Sequence, residues 1–170
     1  MKFGRSELEQ LGFLGFTTIG NLQSSACAEV PRKKGVYVVV RESSKPPTFL
    51  EASGGGHFKE EDPTVARAEL ERNWVEDAYV LYFGKAGGTN KKGEQTKVTL
   101  RHRIGLCMQF GLGDPVAHRG GRLIWQLSDY RDLLVAWKPL EAEEPRMVEE
   151  QLIGAFVKQY CKLPFANLQR

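Results

Sequence analysis

The stretch Val80-Leu81-Tyr82-Phe83-Gly84-Lys85-Ala86-Gly87-Gly88 decides how this chain is read. Four apolar residues run without polar alternation, as in a strand covered on both faces. The run then stops at a glycine, a lysine and a glycine pair. Packing alone gives no reason for a buried strand to carry a tyrosine and end in a lysine beside flexible backbone. Gly35-Val36-Tyr37-Val38-Val39-Val40-Arg41-Glu42 is a second strand of the same kind, and 132–140 is a third, ended by Pro139.

Helical spacing fills much of the rest. In 99–111, Leu100, Ile104, Cys107, Met108 and Gly111 share one face, with Thr99 as N-cap and Gly111 and Gly113 as stops. The strongest helical pattern lies in 143–163. Residues 7–23 read as a short helix and turns, and 118–130 fits either a short helix or a strand. Between the first two strands lies an acidic insertion, 43–77. Its first part is a loop rich in Pro, Gly and Ser. Its second part reads as a helix with Asp62 as N-cap and Pro63 in the first turn. The expected fold class is α/β: a small sheet of mainly three strands flanked by helices, forming one domain over 1–170 with an N-terminal helical extension over 1–30.

Composition excludes several classes. No apolar run approaches the roughly 20 residues of a membrane helix, and the N-terminus lacks a signal-peptide core, so the chain reads as cytoplasmic with no membrane partner. Cys27, Cys107 and Cys161 are too scattered for a disulfide framework or a zinc cluster and read as small core residues. The net charge of +3 is unevenly spread. Lys85, Lys91, Lys92, Lys97, Arg101 and Arg103 face a single acid, Glu94, in 85–103, whereas 42–77 holds nine acids and four bases. A basic segment beside glycines is either a phosphate-binding surface or a solvated loop.

One carboxylate stands out. At about 100° per residue, Glu149 points into the apolar sector of the last helix defined by Val148, Leu152, Ile153, Phe156 and Tyr160. A buried carboxylate needs a cation, a metal or donors; the alternative is a helix-start residue that caps free N–H groups. Arg101 and Arg103 border the apolar stripe of the earlier helix, and either can extend beyond the core edge.

Taken in order, Gly35-Val36-Tyr37, Tyr82-Phe83-Gly84 with Lys85, Leu100-Arg101-His102-Arg103-Ile104, Glu149 and Pro164-Phe165-Ala166-Asn167 resemble the GIY-YIG nuclease family over roughly 31–168. The second motif departs mildly, reading YFG, and the gap between the two motifs is longer than in compact members. The resemblance implies a three-stranded antiparallel sheet flanked by helices and a metal-dependent endonuclease that hydrolyses DNA phosphodiester bonds, with RNA also open.

It implies a site of Tyr37, Tyr82, Lys85, Arg103, Glu149 and Asn167. Glu149 would hold Mg²⁺ or Mn²⁺. Tyr37 would act as, or orient, the base for the attacking water, with Lys85 favouring its phenolate. Arg103 would bind the scissile phosphate, and Tyr82 would position water or phosphate. Gly84 would let phosphate or backbone approach. Asn167 would bond a site group or fix the last turn. Lys91, Lys92, Lys97, Arg101, His118, Arg119 and Arg122 would extend the nucleic-acid surface. Two other readings stay open: a non-catalytic nucleic-acid-binding module, and a protein-interaction domain or homodimer acting through 43–77.

Overall fold

The computed structural model describes residues 1–118 and 120–168. Its centre is an antiparallel sheet of four strands in the order β1-β6-β2-β3, formed by Leu14–Thr18, Leu134–Pro139, Gly35–Val40 and Val80–Ala86. The three strands expected from their apolar runs are β2, β3 and β6, and every residue of β2 is buried. The fourth strand, β1, replaces the turns expected within 7–23. It pairs with β6 through an irregular register between Leu14 and Thr17. It is flanked by the short helices α1 (Arg5–Gln10) and α2 (Ile19–Ser25).

Side chains alternate across the sheet, so each face has its own core. On one face Tyr37, Val39, Tyr82, Val135 and Trp137 meet α4 (Leu100–Gly111) through Leu100, Ile104, Cys107 and Met108. On the other, Val36, Val38, Val40 and Phe83 meet α5 (Pro145–Tyr160) through Ile153 and Phe156. Thr99 caps α4 as expected, its hydroxyl accepting the His102 N–H at 3.2 Å. Pro145 opens α5, where its missing N–H costs no hydrogen bond.

The insertion is built into the fold. Phe49, Leu70 and Val75 are buried in the core, and Phe49, Trp74 and Phe165 form an aromatic cluster. The buried Gln126 amide accepts the Val65 N–H and donates to the Leu50 and Val65 carbonyls. The helix here, α3, is shorter than expected, spanning Arg67–Asn73. Asp62 does not cap it; its carboxylate instead closes a tight turn by accepting the Thr64 N–H at 2.9 Å. The ambiguous segment after 118 forms two 3₁₀ turns, Arg122–Gln126 and Tyr130–Asp132.

A small hairpin, β4 (Gly88–Thr89) with β5 (Gln95–Thr96), continues from β3. Cys27 and Cys107 are buried, whereas Cys161 is exposed, because it sits past the last turn of α5. Among the described residues, no helix is long and apolar enough to cross a membrane.

Candidate active site

Strand β3 is a sheet edge, so residues from both faces can converge around its end. Tyr37 stands opposite Gly84, and Tyr82 opposite Val39, which puts the two phenols on the α4 face of neighbouring strands. Their ring centroids are 5.9 Å apart. The two phenols are close enough to influence each other's protonation. Gly84 has a different role from the one expected: a Cβ there would lie 2.4 Å from the Tyr37 ring. The glycine makes room for the tyrosine rather than for a phosphate. Lys85 stands opposite Val36, on the α5 face. Glu149 approaches from α5, one turn in from its start, so it is not the capping carboxylate. The N-cap position is Glu144, whose side chain makes no cap bond but accepts the Thr89 N–H at 2.7 Å and ties the β4–β5 hairpin to α5.

These residues share one pocket of about 260 Å³. It is lined by Tyr37, Tyr82, Lys85, Arg103 and Glu149, together with Ala117, His118 and Gly120. Five of the six residues expected to form the site therefore meet. The sixth, Asn167, does not line the pocket. Its amide accepts the Phe83 N–H and donates to the Phe83 carbonyl, both at 2.9 Å, so it extends the β3 edge as a short strand would. Of its two expected roles, it takes the one that fixes the last turn.

The basic residues divide similarly. Arg103 reaches the pocket. Arg101 turns away and donates to the Val30 and Ala28 carbonyls, holding the segment after α2. Arg122 lines a separate depression beside Gly56 and Asp62. Lys91, Lys92 and Lys97 are exposed on or beside the hairpin. Arg119 lies outside the described residues.

Two buried donors or acceptors in the pocket have no protein partner: Arg103 Nε and His118 Nε2. His118 is only 4% exposed. The Gly120 backbone lies beside the imidazole and raises its basicity. A buried polar atom without a partner is uncommon and calls for an explanation. Two of them on one pocket point to a polar ligand or ordered water. The sequence held a signal for His118 in its position among glycines, but its exact surroundings depend on how the loop after α4 folds back.

The electrostatics follow from burial. Desolvation lifts the Glu149 carboxyl to about 7, opposed by Lys85 and Arg103. It also pushes both phenols up, Tyr37 most, and Arg103 only partly offsets this for each. Lys85 was expected to favour a Tyr37 phenolate; the cation that acts on Tyr37 is Arg103, and burial outweighs it. Desolvation and Arg103 together lower His118 to about 4. At neutral pH the pocket therefore holds two phenols, a neutral imidazole, two cations and a carboxyl near its titration midpoint.

No family model matches this sequence, and no curated protein or solved structure matches it either.

Proposed function

We propose that this protein is a metal-dependent endonuclease of the GIY-YIG type, acting on the phosphodiester bonds of DNA. The observation that carries the proposal is the convergence of Tyr37, Tyr82, Lys85, Arg103 and Glu149 on one pocket whose Arg103 and His118 nitrogens lack protein partners.

The residues fit a hard divalent cation bound mostly by water and substrate. Among the described residues, no group of three or more His, Cys, Asp or Glu side chains is arranged to hold a metal, which argues against an all-protein cage. Mg²⁺ is commonly held by one or two carboxylates with phosphate and water completing its shell. Glu149, partly buried and without an ion pair among the described residues, suits that arrangement. A cation bound there would supply Lewis-acid polarisation of the phosphate and stabilise the leaving oxygen.

The chain's own groups do the rest. Arg103 presents an unpartnered Nε to a phosphate oxygen and stabilises the charge that grows there during attack. Lys85 adds a second cation. Tyr37 and Tyr82 orient the attacking water through their neighbouring hydroxyls. Burial keeps both protonated, so the water's proton passes to another acceptor. His118 is neutral at pH 7 and its Nε2 has no protein partner; burial chiefly lowers its basicity, and phosphate that neutralises Arg103 removes the second, repulsive contribution.

A second reading, binding without turnover, draws support from the single carboxylate. One assay separates the two: plasmid, single-stranded DNA and RNA are incubated with the protein and Mg²⁺ or EDTA, beside Glu149→Ala. Cleavage that needs Mg²⁺ and falls at least a thousandfold in the folded variant is expected. Undiminished cleavage by Glu149→Ala would rule out the metal site, and salt-sensitive binding with no turnover by the wild type would establish the second reading.

A further inference from the structure

We propose that the insertion positions the catalytic pocket, with the glycine run Gly54-Gly55-Gly56 acting as a strap that holds the loop after α4 so that His118 faces the pocket. The inference rests on the function proposed above and gives the insertion a role in it.

The strap is tied along its length. The Leu50 N–H donates to the Gln126 carbonyl at 2.7 Å, the Gly54 N–H to Trp125 at 3.3 Å and the Gly56 N–H to Phe110 at 2.9 Å. Its inner end is fixed by the Ser53 N–H donating to the Thr64 hydroxyl and by the Gly55 N–H donating to Ser53. The insertion thus runs across the last turn of α4 and reaches the loop that returns to the site.

Close approach explains the glycines. A Cβ at Gly56 would lie 1.8 Å from the Asp114 carbonyl oxygen, and one at Gly55 would lie 2.4 Å from the Phe110 ring. Side chains essentially never sit this close to backbone, so any other residue at Gly56 moves the loop. The loop then steps toward the pocket by short backbone bonds, from Val116 to Asp114 and from His118 to Val116, each 2.8 Å. Phe110, under the strap, also packs on His118 with ring centroids 6.4 Å apart. The imidazole is 96% buried with an unpartnered Nε2, so its orientation follows the loop that carries it and the Phe110 ring it packs on. Gly56 is therefore a positioning residue. It touches neither the pocket lining nor any substrate atom.

The test combines kinetics with nitrogen NMR of the His118 ring in the free protein. Gly56→Ala is expected to shift the His118 ring signals and lower kcat at least tenfold, with KM changed less than threefold. Combined with His118→Ala, it should add nothing, because its effect passes through that imidazole. Gly105→Ala, where a Cβ meets nothing within 4 Å, serves as the control and should leave both readouts unchanged. If Gly56→Ala does not fold, Thr64→Val loosens the strap without adding bulk at the loop and should give a smaller shift in the same direction. Unmoved His118 signals in the folded variants, or losses that multiply in the double variant, would overturn the proposal. If the wild type proves inactive, the nuclease reading fails, yet the ring signals still decide whether the strap positions His118.

Discussion

At the scale of single residues, the pocket holds its acidic and imidazole groups at a cost to stability. Glu149 titrates at about 7 in the fold against an ordinary 4.5. Between those values the folded chain keeps a proton that the unfolded chain has lost. Its contribution is therefore full below about 4.5 and is lost as pH rises through 7. The loss above 7 is on the order of 3 kcal/mol. Glu149→Gln should accordingly be more stable than the wild type at pH 8 by an amount of that order, while losing metal-dependent cleavage. His118 behaves oppositely. Its folded value of about 4 lies below the ordinary 6.5, so its contribution is present above 6.5 and is lost as pH falls through 4. From about 4.5 to 6.5 the two slopes oppose and should largely cancel in the wild type. His118→Gln should become more stable toward acid across this window, and Glu149→Gln less stable. Urea midpoints measured from pH 4 to 8 check both, and parallel profiles for the three proteins would contradict the assigned surroundings.

At the scale of elements, the sequence was most legible where side-chain period and burial agree. The uninterrupted apolar runs of β2, β3 and β6 and the helical spacing of α4 and α5 locate Tyr37, Tyr82, Arg103 and Glu149 on rigid supports, which is why these four could be gathered in advance. Strand β1 was hidden because it obeys neither period. Leu14 is exposed, Gly15 and Phe16 have positive φ, and the register breaks between Leu14 and Thr17. The structural roles of Arg101 and Asn167 were hidden for another reason: their partners lie 71 and 84 residues away in sequence. The helix in the second half of the insertion was legible from its spacing, but the burial of Phe49 was not, because it sits in a stretch rich in Pro, Gly and Ser with no period of its own. Asn167 gives the element-scale prediction. Asn167→Ala leaves the buried Phe83 N–H and C=O without partners, at roughly 1–3 kcal/mol each. A loss of about 2–6 kcal/mol in chemical denaturation is expected, with kcat per folded molecule changed less than threefold. A variant as stable as the wild type but inactive would return Asn167 to the catalytic set.

At the scale of the whole molecule, the proposed function raises the question of how a chain with a net charge of only +3 would hold a polyanion. Its cations are sorted. Lys85 and Arg103 lie in the pocket, while Lys91, Lys92 and Lys97 are exposed on or beside the β4–β5 hairpin. Glu144 pins that hairpin to the start of α5, the helix that carries Glu149, so backbone leaving the pocket has a basic surface at hand. Each phosphate neutralised on a duplex releases counterions and steepens the dependence of log affinity on log salt by about 0.9. Replacing all three hairpin lysines with alanine should therefore flatten that slope by about 2–3 and weaken binding most at low salt. At saturating DNA, kcat should stay within twofold, because none of the three reaches the reacting groups. Lys59→Ala, a charge removal of the same kind on the insertion, should leave the slope unchanged. Anisotropy titrations of a short labelled duplex across a salt series measure it directly. An unchanged slope in the triple variant, or an equal change in Lys59→Ala, would mean that the strand leaves the pocket across a different face.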